Sequence, residues 1–164
     1  MPVYKAPQRD MQFVLHEMLE VEENYQQFPK YADQFSRDLI NQYLEAAADF
    51  SENEIAPINQ SGDHEGCHLD QGVVTTPKGF KEAYQKYVEL GFTSLTADPV
   101  YGGQGMPTLL RIAISEMLCA SNWSWAMYQG LSHGAMRTLE HHGTEQQKQT
   151  FLTKLIAGIW TGTM

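Results

Sequence analysis

The sequence predicts an all-α fold, a bundle of about six helices that ends where a strand begins. Apolar residues recur at three- and four-residue spacing in separate segments, and glycine or proline stands where those segments would end. The chain has 164 residues, 42% of them hydrophobic, which is enough to bury one core. The last residues, 159–164, change to β-branched and aromatic types that are typical of a strand.

The first two predicted helices follow a short extended arm. Residues 1–9 contain two prolines and predict an extended conformation. Asp10 is a suitable N-terminal cap for a helix over about 10–24. A second helix is predicted over about 34–56, because its apolar residues form one stripe and Pro57 forces it to end.

A long loop and a third helix come next. Residues 57–76 contain glycines, polar residues and one short apolar pair, so they predict a long excursion across the surface. Thr76 and Pro77 have the chemistry of a cap and a first helical position. Gly91 is placed to end the helix that they would open.

The second half of the chain predicts a glycine-rich turn and three further helices. The turn, 98–105, precedes a helix over about 108–120 that is apolar all round and is therefore expected at the centre of the fold. The next helix covers about 123–141. A capping-box pattern at 144–147 opens the last helix, and Gly158 ends it.

Composition limits the partners and the compartment. The formal net charge is −9, so we expect no nucleic acid partner and no attraction to anionic membranes. Cys67 and Cys119 are interpreted as reduced thiols in an intracellular compartment. The first residues lack the apolar core of a signal peptide, and no apolar run has membrane-spanning length. We therefore expect a cytoplasmic protein without an integral membrane segment.

Two clusters and two histidines suggest chemistry, but simpler interpretations account for each. Residues 63–68 combine Asp, His, Glu and Cys, yet the spacing of known zinc motifs is absent, so no metal is expected and a metal site is the alternative. Gly102, Gly103 and Gly105 lack the lysine of a phosphate loop and predict a tight turn. His16 and His133 are interpreted as packed or surface residues, because no catalytic triad is recognisable.

Two glycines inside the fifth predicted helix point to a close approach on one face. Gly130 and Gly134 each cost a helix about 1 kcal/mol relative to alanine. One explanation is a close crossing of two helices. The other is a groove in which a ligand chain lies between Met127, Gly130, Leu131 and Gly134.

Four short segments, in order and at matching distances, resemble acyl-CoA dehydrogenases. They correspond to the family's glycine turn, its buried Ser-Glu helix, a Gly-x-x-x-Gln-Lys corner and the helix that leads into its β-domain, and they lie at 100–105, 114–117, 143–148 and 152–158. Residues 4–17 and 76–84 further resemble the subfamily that includes methylthiopropanoyl-CoA dehydrogenase, which has an extended N-terminal arm. The resemblance covers the whole chain.

The resemblance implies a three-part enzyme that binds FAD and oxidises an acyl-CoA thioester to a trans-2-enoyl-CoA. This chain would supply the arm (1–9), the helical N-terminal domain (10–158) and the start of a middle β-domain (159–164). By the same resemblance, Met127, Gly130 and Gly134 line the acyl pocket, together with Leu131 from the groove interpretation. Met164 lies near the flavin.

No catalytic residue is expected in this chain, because the family's glutamate base belongs to a C-terminal domain beyond Met164. The chain alone should therefore be inactive. Implied partners of the full-length chain are an electron-transferring flavoprotein or a similar acceptor, and further copies of itself. The alternative from another class is a free-standing helical module that binds a protein partner.

Overall fold

A computed structural model describes residues 3–32 and 35–163, and these residues are mostly helical. The helices of the first half are α1 (Gln8–Gln12), α2 (Val21–Gln26), α3 (Arg37–Phe50), α4 (Asn59–Glu65) and α5 (Phe80–Glu89). Those of the second half are α6 (Thr108–Ser121), α7 (Trp123–His142), α8 (Glu145–Gln147) and α9 (Thr153–Ile156). Wider π-helical turns extend three of them, at Phe13–Met18, Ser51–Ile55 and Lys148–Leu152. No helix of the described residues is both long and apolar enough to cross a membrane.

The N-terminal region departs from the single predicted helix over 10–24. α1 begins at Gln8, ahead of the predicted cap, so the described part of the arm is shorter than 1–9. Glu20 has a left-handed φ of 44° and separates the π-helical turn from α2. This conformation is unfavourable for a residue with a side chain, but it brings Val21 into the core, where only 2% of it is exposed.

The second predicted helix is present with a later start. α3 begins at Arg37, and the hydroxyl of Ser36 caps it by accepting a hydrogen bond from the Leu39 N–H at 3.3 Å. Gln34, the predicted first residue, lies outside the described residues. The following π-helical turn carries the helix on to Ile55, close to the predicted end.

The prediction of a long loop over 57–76 is wrong, because this stretch holds α4 and a hairpin. Strands β1 (His68–Asp70) and β2 (Val73–Thr75) pair antiparallel across a two-residue turn. Gln71 and Gly72 both have positive φ, as a tight hairpin turn requires. Each strand has only three residues, all exposed, so no alternation between buried and exposed side chains marks it in the sequence.

The predicted cap of the third helix is also wrong. α5 begins at Phe80 after Gly79, whose φ is 90°, and the Pro77 carbonyl accepts the Phe80 N–H at 3.2 Å. Thr76 and Pro77 therefore precede the helix. Gly91, with a φ of 77°, follows the end of α5 as predicted.

The second half follows the predictions closely. α6 and α7 have the predicted bounds to within a residue or two, and the capping box between Thr144 and Gln147 is confirmed. Gly158, with a φ of 69°, follows the last helix. Ile112 is an exception to the prediction that α6 is buried all round, because it is 53% exposed.

Residues 159–163 are extended and form no strand, since a strand needs a neighbour with which to pair. The core lies between α3, α5, α6 and α7. Its centre is aromatic, because Phe50 has ring neighbours in Tyr87, Phe92 and Trp125 at centroid distances between 5.4 and 6.2 Å. A smaller apolar cluster joins the end of α7 to α9.

Candidate functional site

One side of α7 is packed into the core and the other side is exposed. The buried residues are Trp125, Ala126, Gln129, Ser132 and Met136. On the opposite side, Met127 is 52% exposed and Leu131 is 39% exposed. Residues three, four and seven apart share one side of a helix, so these two lie together with Gly130 and Gly134. We refer to Met127, Gly130, Leu131 and Gly134 as the open face of α7.

The two glycines leave the open face without side chains at its centre. A Cβ atom at Gly130 or Gly134 would meet no heavy atom within 4 Å. By contrast, a Cβ at Gly103 would lie 1.9 Å from the carbonyl oxygen of Ala97. A close helix crossing within the described residues therefore does not explain Gly130 and Gly134. Their surface is available to a group from outside these residues.

The residues after α9 lie along one edge of the open face. The hydroxyl of Tyr128 donates to Thr161 Oγ1 at 3.1 Å, and the Gly162 N–H donates to Ser132 Oγ at 3.0 Å. A Cβ at Gly162 would lie 2.7 Å from Ala135 Cβ, so glycine permits this close approach. The segment is thus fixed against α7. Met164, the residue expected near the flavin, lies outside the described residues.

A groove of about 680 Å³ adjoins the same edge. Aromatic side chains from α5 and α7 form much of its wall, namely Phe80, Tyr84, Trp125 and Tyr128. The groove is bordered by the residues before the hairpin on one side and by 158–161 on the other. Apolar walls with a few polar groups are typical of small-molecule sites.

The cluster at 63–68 is dispersed by the local structure. Asp63 lies in α4, whereas Cys67 and His68 follow it as the chain enters β1. His68 Nε2 and Glu65 Oε1 are 4.0 Å apart, too far for a hydrogen bond. Within residues 3–32 and 35–163, no three His, Cys, Asp or Glu side chains are grouped so that they could hold a metal ion. The alternative of a metal site therefore has no geometric support there.

The glycine turn at 98–105 is a structural turn, as predicted. Asp98 accepts the Val100 N–H at 2.9 Å, which opens a short 3₁₀ helix at Pro99–Tyr101. Gln104 Nε2 then donates to the Gly91 carbonyl at 2.6 Å. These contacts connect the turn to the end of α5.

The two single histidines are packed, as the sequence suggested. His16 is 6% exposed, and its Nε2 lies 2.8 Å from Asn41 Oδ1. His133 is partly buried on α7. Burial, together with the positive charges of Arg111 and Arg137, lowers the pKa of His133 to about 4.

Sequence reasoning missed a polar group behind the open face. Arg111 on α6 lies beside Gln129 and His133 of α7, and burial lowers the pKa of Arg111. The hydroxyl of Tyr87 donates to Gln129 Oε1 at 3.2 Å. Only tertiary structure brings these residues together, so no local sequence signal marks the group.

Comparison with known proteins places this arrangement. The chain matches the family model for the N-terminal domain of acyl-CoA dehydrogenases over residues 38–159. It is 34% identical over 166 residues to 3-methylmercaptopropionyl-CoA dehydrogenase of Ruegeria pomeroyi. It is 30% identical over 164 residues to a butyryl-CoA dehydrogenase of Syntrophomonas wolfei. Each alignment covers 98% of this chain and 27% of the relative.

A solved structure agrees with the sequence relatives. Butyryl-CoA dehydrogenase from Megasphaera elsdenii superimposes with a TM-score of 0.63 and 26% identity, over 76% of this chain and 30% of that one. The fold is therefore that of the N-terminal helical domain of a dehydrogenase. The chain belongs to the acyl-CoA dehydrogenase family, and it spans 27% of the length of the two curated relatives named above.

Proposed function

We propose that this chain is the N-terminal domain of an FAD-dependent acyl-CoA dehydrogenase and that it forms one wall of the acyl and flavin cleft. The parent enzyme oxidises an acyl-CoA thioester to a trans-2-enoyl-CoA. In this proposal residues 10–158 are the helical domain, and 159–164 begin the middle β-domain. The observation that carries the proposal is the open face of α7 in a chain of this family.

The open face has the shape and polarity that an acyl chain requires. Met127 and Leu131 present apolar side chains, and Gly130 and Gly134 expose helix backbone with space in front of it. From Met127 to Gly134 the face extends about 10 Å along the helix axis, at 1.5 Å per residue. A flexible hydrocarbon chain can lie against such a surface and displace water from it.

The described residues suit the substrate better than the flavin. The bound flavin would supply the acceptor for the hydride that leaves the β-carbon of the thioester. Of the residues in this chain, only Met164 is expected to lie against the flavin, and it is outside the described residues. The role that we assign to the described residues is to bind and orient the acyl chain and to exclude water from it.

Proton removal is assigned to another part of the parent. We propose no catalytic residue in this chain, since the base would come from the C-terminal domain, and we expect the chain alone to be inactive. Self-association of the parent and electron transfer to a flavoprotein acceptor belong to the same proposal. Cys67 and Cys119 are both free thiols, which supports a reducing, cytoplasmic location.

The test is to express the uninterrupted reading frame that contains this chain. We expect a yellow protein whose flavin absorbance is bleached by acyl-CoA thioesters. A colourless and inert full-length protein would overturn the proposal.

A Gly134→Leu variant of that enzyme tests the pocket itself. The leucine side chain would enter the space in front of α7, so kcat/KM for long acyl groups should fall more than for short ones. Gln85→Leu, which places the same side chain at an exposed position of α5, is the matched control and should leave the chain-length profile unchanged.

A second function is favoured by a different surface. Phe13, Met18 and Ile112 are each more than half exposed, and their neighbours Val14 and Leu109 line a shallow pocket. A free-standing interaction module would use such an apolar surface for a protein partner. That alternative predicts a stable monomer of the 164-residue chain. Self-association through the end at Trp160 would instead favour an incomplete domain.

A further inference from the structure

A small cavity lies behind the open face, between α5, residues 92–96, α6 and α7. Its volume is about 10 Å³, which is close to the space that one water-sized particle needs. Apolar groups from Phe92, Met136 and Leu155 close part of it. Its polar lining consists of Thr93, Thr96, Arg111, Gln129, Ser132 and His133.

Arg111 is the charged member of this lining, and its charge is not balanced nearby. Its Nε atom is buried and has no hydrogen-bond partner among the described residues. The hydrogen bond of its guanidinium to Ser115 Oγ is long, at 3.5 Å. None of the ion pairs within residues 3–32 and 35–163 involves Arg111. A half-buried cation without a counter-ion is costly unless a negative group compensates it.

The surroundings of Arg111 offer donors rather than acceptors. Gln129 Oε1 accepts the hydrogen bond of the Tyr87 hydroxyl, so the NH₂ group of this amide is the donor that remains. The nearest second cation, Arg137, already pairs with Glu140 at 2.8 Å. The hydroxyl groups of Thr93 and Thr96 can also donate. This lining matches a negative particle better than a neutral one.

We propose that this cavity binds a small monovalent anion of the size of chloride, held by Arg111 and the Gln129 amide. A water molecule would satisfy the donors but would leave the guanidinium charge uncompensated. A larger oxyanion would exceed the space. The overall charge of −9 opposes anion binding at long range, but salt screens distant charges beyond about 10 Å at 0.1 M, so the adjacent guanidinium dominates.

His133 provides an internal reporter of the anion. The guanidinium charges of Arg111 and Arg137 contribute to its low pKa of about 4. An anion beside Arg111 would offset part of that repulsion. The pKa of His133, followed by NMR, should therefore be higher in chloride than in gluconate, an anion too large for the cavity.

The main test compares the thermal stability of the 164-residue chain in sodium chloride and in sodium gluconate at equal ionic strength. For a site that binds only the folded state, the Tm should rise by about 3–5 °C per tenfold increase in chloride above its Kd. Arg111→Met should abolish this dependence. Arg137→Met, which removes a neighbouring cation that does not line the cavity, should retain it.

Crystals soaked in bromide give a direct test that needs no variant, in case Arg111→Met does not fold. An anomalous peak within hydrogen-bond distance of Arg111 Nε would support the site. Equal Tm values in the two salts would overturn the proposal, as would a chloride effect that survives in Arg111→Met. Ordered water without an anomalous peak would overturn it too. None of these measurements depends on the acyl-pocket role of the open face.

Discussion

Replacing Gly130 and Gly134 by alanine is expected to stabilise the isolated 164-residue chain. Each glycine lies inside a 20-residue helix, where alanine is more favourable by about 1 kcal/mol. No heavy atom lies within 4 Å of either new Cβ, so no steric cost offsets this gain. The two sites are exposed, so the added methyl groups bury little surface. The double variant should therefore gain about 2 kcal/mol in the free energy of unfolding.

Thermal and urea denaturation followed by circular dichroism measure this gain. For a domain of this size, 2 kcal/mol corresponds to a rise in Tm of about 4–8 °C. Gly103→Ala is the matched control, because its Cβ would lie 1.9 Å from the Ala97 carbonyl oxygen, and it should lose about 2–3 kcal/mol. A loss of stability in Gly130→Ala or Gly134→Ala would show that something in the chain packs on the open face, which would refute the reasoning.

Two further predictions concern α7 and its neighbours. Asn122→Ala removes the cap that accepts the Trp125 N–H and also the hydrogen bond to the Ile55 carbonyl, so urea unfolding should show a loss of about 2–3 kcal/mol, and a smaller change than 1 kcal/mol would contradict the capping role. The pKa of His133 is lowered from 6.5 to about 4 by burial and two guanidinium groups, so the unfolded chain takes up its proton first and stability, complete above pH 6.5, falls as the pH drops toward 4, by about 2 kcal/mol for this partly exposed group. Titration of unfolding free energy should show that His133→Gln loses this slope, and an unchanged slope would assign it to other groups.

Local chemistry was sufficient to predict most of the second half of the chain. The capping box of Thr144 and Gln147 is a pattern over four residues, and the bounds of α6 and α7 follow from apolar periodicity and turn residues. These signals act within one or two turns of helix. They therefore identify elements and their ends without reference to the rest of the fold.

The features that escaped prediction depend on contacts between distant residues. The break at Glu20 has no glycine or proline to mark it and is offset by burial of Val21. The three-residue strands of the hairpin lack an alternating pattern because every residue in them is exposed. The cavity around Arg111 joins side chains from α5, α6 and α7. Propensity and periodicity contain no information on such meetings.

The open face gains its meaning from the way α7 is held on the other side. Trp125 is 2% exposed, its indole N–H donates to the Phe80 carbonyl at 3.2 Å, and the cap at Asn122 fixes the start of the helix. Because this side positions α7, the helix can tolerate two glycines that weaken it by about 2 kcal/mol in total. The two sides are therefore energetically separable. Changes at Gly130 and Gly134 should alter acyl selectivity in the parent without unfolding the domain, whereas changes at Asn122 should do the reverse.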